Sequence, residues 1–169
     1  MLCLRLVPIL CFFVSVASTV SIASETEVSH PAVQSVVEFN KAITARDMDA
    51  AMSLLAEGGV QYHLRPAHPG MPQDHALTED MATMWKTVSA ILFPTTDSYE
   101  RHVDIRNVEV DGELAVVWTH TQTITHRKGK DKPMILYFSE MYFLINKDNQ
   151  GWRIAGTATN RPVDSIPVG

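Results

Sequence analysis

The run YERHVDIRNVEV-DG-ELAVVWTHTQTITH, Tyr99 to His126, decides the fold. Asp111-Gly112 divides two stretches in which β-branched and aromatic residues alternate with polar ones. Asp-Gly between such stretches is a strong hairpin signal, because both residues of a tight primed turn need positive φ. Tyr99 to Val110 and Leu114 to His126 are therefore expected to pair as antiparallel strands. With a two-residue loop at Asp111-Gly112, Val110 faces Glu113. One face then collects Val103, Ile105, Leu114, Val116, Trp118 and His120, with Arg101 and Gln122 at its far end. The other collects His102, Asp104, Arg106, Val108, Ala115, Val117, Thr119 and Thr121. The first face is apolar at its centre and is expected to pack on the core, which would turn Trp118 and His120 inward. A bulge would invert that assignment.

Further strands are expected at Met134 to Ile145 and Trp152 to Thr159, set off by the loop around Pro133 and by Lys147-Asp148-Asn149-Gln150-Gly151. Upstream the period changes. Val33, Val36, Val37, Phe39 or Asn40, and Ile43 mark an amphipathic helix over Ala32 to Ala45. Asp47 can cap a second, Met48 to Ala56, ended by Gly58-Gly59. A strand is expected from Val60 to Arg65. Pro66, Pro69 and Pro72 then forbid helix or central strand. A third helix is expected from near Thr78, carrying Met81, Met84, Trp85, Val88, Ile91 and Leu92, and stopping at Pro94. Helices grouped first and strands after predict an α+β domain with an antiparallel sheet.

The ends of the chain bear on location. Arg5 followed by an apolar run from Leu6 to Val20, then Ser21-Ile22-Ala23, has the plan of a secretory signal, with cleavage expected after Ala23. The rival reading is an uncleaved anchor, but Pro8 and the scattered hydroxyls shorten the apolar run below the roughly 20 residues a spanning helix needs. Residues 1–23 are read as signal, 24–31 as leader, 32–160 as one domain and 161–169 as tail. Export to the periplasm or medium is expected, with no membrane association after cleavage. Both cysteines, Cys3 and Cys11, lie in the signal, so the remaining chain can hold no disulfide or thiolate metal site. The formal net charge of −5, one unit more negative without Arg5, argues against nucleic acid as a partner. Arg127-Lys128-Gly129-Lys130 with Lys132 reads as a solvated hairpin loop.

The order of elements resembles the NTF2-like superfamily, in particular its SnoaL-like and DUF4440-type branches. The resemblance rests on Val36-Val37-Glu38-Phe39-Asn40-Lys41-Ala42-Ile43, Arg46-Asp47-Met48-Asp49-Ala50-Ala51 and Leu54-Leu55-Ala56. It continues in Val108-Glu109-Val110-Asp111-Gly112-Glu113-Leu114-Ala115-Val116-Val117 and Gly151-Trp152-Arg153-Ile154-Ala155. It implies an NTF2-like cone, in which N-terminal helices close a strongly curved antiparallel sheet around a pocket, and a homodimer through the sheet. Members include isomerase-like, cyclase-like and dehydratase enzymes and non-catalytic binding or assembly domains, so fold does not give function. The enzymes use a pocket Asp or His as base. Asp104 falls on the expected outer face, and no catalytic motif matches residue by residue.

Among single residues, His120 beside Trp118 is either a titrating pocket group or a core histidine satisfied by its neighbours. Glu140, amid Phe138, Met141 and Tyr142, lies either on the outer face or inside with a partner such as His120, with Arg101 or Arg65 compensating. His63, His68 and His75 surround the proline-rich segment without a metal-ligand spacing, and no metal or cofactor is expected. The catalytic candidates are His120, His63 and Glu140. The expected ligand contacts are Tyr62, Arg65, Trp85, Arg101, Trp118, His120, Tyr137 and Tyr142. The favoured role is binding of a small apolar molecule in the cone. The rivals are a cofactor-free lyase or isomerase, with a pocket His as general base, and a non-catalytic dimerisation or accessory domain.

Overall fold

The structure, a computed structural model, describes residues 30–64 and 77–160. The expected signal, most of the leader, the tail, Arg65, His68 and His75 lie outside the described residues.

Helix α1 spans Pro31–Ala45, with proline at its first position and His30 Nδ1 accepting from the Ala32 N–H. Val33, Val36, Phe39, Asn40, Ala42 and Ile43 are buried along it, so one apolar stripe carries one amide. The helix ends at Arg46, a non-glycine residue at φ 63°. That strained cap is held by its own side chain, which donates to the carbonyls of Phe93, Thr96 and Asp97 at 3.2, 3.1 and 3.0 Å. Helix α2, Met48–Ser53, is capped by Asp47 but stops three residues before its expected end. The chain enters β1, Leu55–His63, before the glycines, and Gly58 at φ 71° sits where the pairing of β1 with its neighbour shifts register. The glycines thus serve a strand irregularity and not a helix C-cap.

Strand β2, Leu77–Asp80, occupies the place expected for the start of the third helix. Helix α3, Met81–Thr95, begins at Asp80, whose carboxylate accepts from the Thr83 N–H at 2.7 Å. That backbone bond, then the Thr83 hydroxyl, hold the Asp80 carboxyl below its ordinary value. Pro94 lies in the last turn of α3, one residue before its end. The remaining strands are β3, Thr96–Asp111; β4, Leu114–Arg127; β5, Met134–Ile145; and β6, Arg153–Asn160. Among the described residues they form one six-stranded sheet in the order β2-β1-β6-β5-β4-β3. The expectation of a wholly antiparallel sheet is corrected at one seam, because β1 runs parallel to β6. Every other pair is antiparallel. Helices α1 and α3 cover one face, and the α+β cone is the observed architecture.

The hairpin departs from expectation in two steps. Its turn is Gly112-Glu113, with Gly112 at φ 58°, so Asp111 pairs with Leu114 and Val110 with Ala115. That two-residue shift keeps Val108 and Val117 on one face, as expected, but both are buried, so near the turn the face expected to be outer is the inner one. Then Arg106 is skipped: Asn107 pairs with Trp118, but Ile105 pairs with Thr119. This bulge reverses the parity of β3 alone. Val103 and Ile105 point inward as expected. Their partners on that face are Thr121 and Thr119, not His120 and Trp118.

Candidate functional site

Buried residues along β4 are Ala115, Val117, Thr119, Thr121, Thr123 and Thr125. Trp118, at 45% exposure, and His120 stand on the open outer face, which corrects the inward assignment of both. Tyr62 and Tyr137 are outward as well. A groove of about 450 Å³ on that face is bordered by His102, Asp104, His120, Gln122, Tyr137 and Ser139. Its polar groups pair locally: His102 with Glu100, Arg106 with Asp104, and Gln122 with Tyr137. Charges so exposed act at high dielectric and at little cost, so the groove marks no specialised chemistry.

The inner face is different. Glu140 is inside, and its partner is Arg101 instead of His120. The Arg101 Nη2 to Glu140 Oε2 distance is 2.8 Å, with each side chain 6% exposed. The bulge at Arg106 brings these two groups together, since it gives the odd-numbered residues of β3 the face shared by Glu140 and Tyr142 of β5. Arg101 Nε donates to Asn40 Oδ1 at 2.6 Å, and Nη1 to the Tyr99 hydroxyl at 3.4 Å. Its guanidinium lies 5.5 Å from the centre of the Trp85 ring, which α3 supplies from above. Thr121 and Tyr142 hydroxyls donate to Glu140 Oε2 at 2.5 and 3.1 Å, and Thr159 reaches Oε1 at 3.5 Å. Asn40 closes the circuit, donating to the Val36 carbonyl at 2.8 Å and the Tyr142 hydroxyl at 3.2 Å.

The electrostatics follow from that packing. Burial opposes the charge on Arg101. The Glu140 carboxylate, aided by Tyr99 and Tyr142, more than offsets it, and the guanidinium stays protonated well above its ordinary value. Burial first, then the Glu140 charge, drive the Tyr142 phenol far above its ordinary value. Tyr142 is thus a fixed neutral donor at any physiological pH. The cluster is a charge-balanced ion pair wrapped in neutral hydrogen-bonding groups.

Of the residues singled out from the sequence, Trp85, Arg101, Glu140 and Tyr142 meet in this cluster. His63 shares its face, in a cross-strand row with Thr159 and Glu140. Asn40, Tyr99, Thr121 and Thr159 were missed. Asn40 is signalled by an amide inside the apolar stripe of α1 and Thr121 by threonine at every second position from Thr119 to Thr125; Tyr99 and Thr159 carry no such signal. Among the described residues, no group of three His, Cys, Asp or Glu side chains is placed to hold a metal ion. No helix among them is long and apolar enough to cross a membrane.

No protein-family model matches the chain, and no curated protein matches it by sequence. Solved structures do match by shape. A ketosteroid isomerase-like protein from Erwinia carotovora atroseptica superposes with a TM-score of 0.60 at 17% identity, covering 77% of this chain and 92% of its own. A candidate scytalone dehydratase from Novosphingobium aromaticivorans gives 0.58 at 13% identity, covering 77% and 80%. A candidate dehydratase of the NTF2-like family from Streptomyces avermitilis gives 0.57 at 16%, covering 77% and 93%. With helices packed on one face of a curved six-stranded sheet, the chain has the NTF2-like fold.

Proposed function

We propose that this chain is an exported protein that binds a small, largely apolar molecule between α1, α3 and the inner face of the sheet. The observation that carries this reading is the Arg101–Glu140 pair, held inside the core by Asn40, Thr121 and Tyr142. An ion pair withdrawn from water is often no more stabilising than apolar residues of the same volume. Its presence there fits a site that needs polar contacts within apolar walls, here Trp85, Tyr99, Val103 and Ile105. The structural neighbours named for isomerase and dehydratase chemistry support a small-molecule role. The test is titration with apolar probes followed by amide NMR. Shifts that centre on Trp85, Arg101 and Glu140 are expected. Shifts confined to His120 and Tyr137 would move the site to the outer groove and end this reading.

A second reading is acid–base catalysis. The His120 version of it falls with that residue's outward position. A version using His63 and Glu140 is favoured by their common row on the inner face. A bound ligand recovered chemically unchanged after prolonged incubation would rule it out.

Export and self-association complete the proposal. The N-terminal sequence of protein recovered from periplasm or medium should begin at Ser24. The outer sheet face supports a homodimer: the rows Val116–Phe143–Gly156–Val60 and Trp118–Met141–Ala158–Tyr62 run apolar across four strands. An apolar face of this kind is expected to be covered.

A further inference from the structure

The two oxygens of Glu140 are unequally used. Oε2 accepts from Arg101, Thr121 and Tyr142, whereas Oε1 has the Thr159 hydroxyl alone, at 3.5 Å. A carboxylate oxygen can take about two donors, so Oε1 keeps acceptor capacity toward β6 and β1. Those strands contribute two more buried oxygens, an amide acceptor and a hydroxyl that can accept or donate. Gln61 Oε1 and Thr157 Oγ1 are buried and have no hydrogen-bond partner, in residues only 7% and 6% exposed. They are register partners of one another, and Thr157 is also the partner of Tyr142. A buried polar atom without a partner is costly, and native chains rarely hold two side by side. The positive charge, by contrast, is already matched, since each side-chain nitrogen of Arg101 has a partner and Glu140 balances it.

Resting on the reading of the interior as a ligand site, we propose that its ligand is uncharged and donates hydrogen bonds. The chemical class is a phenol or alcohol on an apolar skeleton. The hydroxyl donates its one proton to Glu140 Oε1 or Gln61 Oε1, and its oxygen accepts from the Thr157 hydroxyl. A ligand whose oxygens only accept, such as an ether, can take the Thr157 hydroxyl proton but leaves Glu140 Oε1 and Gln61 Oε1 unmet. A carboxylate meets the repulsion of Glu140, and among the described residues the cluster holds no second guanidinium or ammonium to answer it.

Calorimetry with a naphthol, its methyl ether and the matching naphthoate tests this. The wild-type protein should bind the naphthol about tenfold or more tighter than the ether, and the naphthoate most weakly. Glu140→Gln should shrink the naphthol preference to about threefold or less. In case that variant does not fold, Gln61→Met and Thr157→Val serve the same end. Both should cut the naphthol preference while raising thermal stability in the absence of probe. Ether and naphthol bound equally by the wild type would overturn the donor requirement and leave the interior site standing. A preference untouched by Gln61→Met and Thr157→Val would overturn it too. Failure of every probe to bind would sink both the inference and the site.

Discussion

At the scale of single residues, the chemistry depends on four side chains, Arg101, Thr121, Tyr142 and Thr159, meeting at one carboxylate, Glu140. Glu140→Ala leaves the Arg101 guanidinium buried and uncompensated, and should cost about 3–5 kcal/mol in urea unfolding. Replacing both at once, Arg101→Met with Glu140→Leu, should restore most of that loss, because the desolvation cost of two charges disappears with them. A double variant as unstable as the single one would show that the pair is a net stabiliser. Tyr142 gives a pH signature. Its folded pKa is raised above the ordinary 10.0, so its contribution is fully present below that value and is lost as pH climbs beyond it. The unfolded chain releases the phenolic proton there, and the folded one keeps it. Tyr142→Phe should therefore be less stable than wild type at pH 7, by about 1–3 kcal/mol. The gap should narrow between about pH 9 and 11, measured by denaturant unfolding at each pH.

At the scale of elements, one extra residue sets which face of β3 meets the interior. Arg106 at the bulge lets Val108 and Val110 share a face with Ala115 and Val117 near the turn, while Arg101, Val103 and Ile105 share one with Thr123, Thr121 and Thr119 beyond it. Deletion of Arg106 would carry Arg101 to the outer face and leave Glu140 without a cation. The expected outcome is loss of cooperative unfolding and of dispersed methyl signals by NMR, out of proportion to the removal of one exposed side chain. Alternation alone could not reveal this. The apolar residues on the two arms each predict an inward face, and the parity between arms depends on a bulge that no residue type marks. The ends of α2 and α3 were hidden for a related reason: Gly58 and Pro94 are read as breakers, yet the former serves a strand and the latter falls in a last turn.

At the scale of the whole molecule, the sheet carries apolar rows on both sides, and among the described residues α1 and α3 cover only one of them. If a second copy covers the other, Trp118→Arg should give a monomer in sedimentation at concentrations where the wild type is dimeric. Wild-type protein that is monomeric throughout would remove that proposal. Much of this architecture was legible from residues alone. The order of helices and strands apart from β2, the burial stripe of α1, the span of β5 and the inward direction of Val103 and Ile105 follow from local periodicity, which a short stretch of chain carries within itself. The site was legible only in part. Trp85, Arg101, Glu140 and Tyr142 could be named, but not joined, and Trp118 and His120 were drawn in with them. Which carboxylate met which guanidinium, and which aromatic rings faced water, depended on strand register and on the parallel return of β1 beside β6. Those are relations between segments distant in sequence, fixed by packing energy that no single segment encodes.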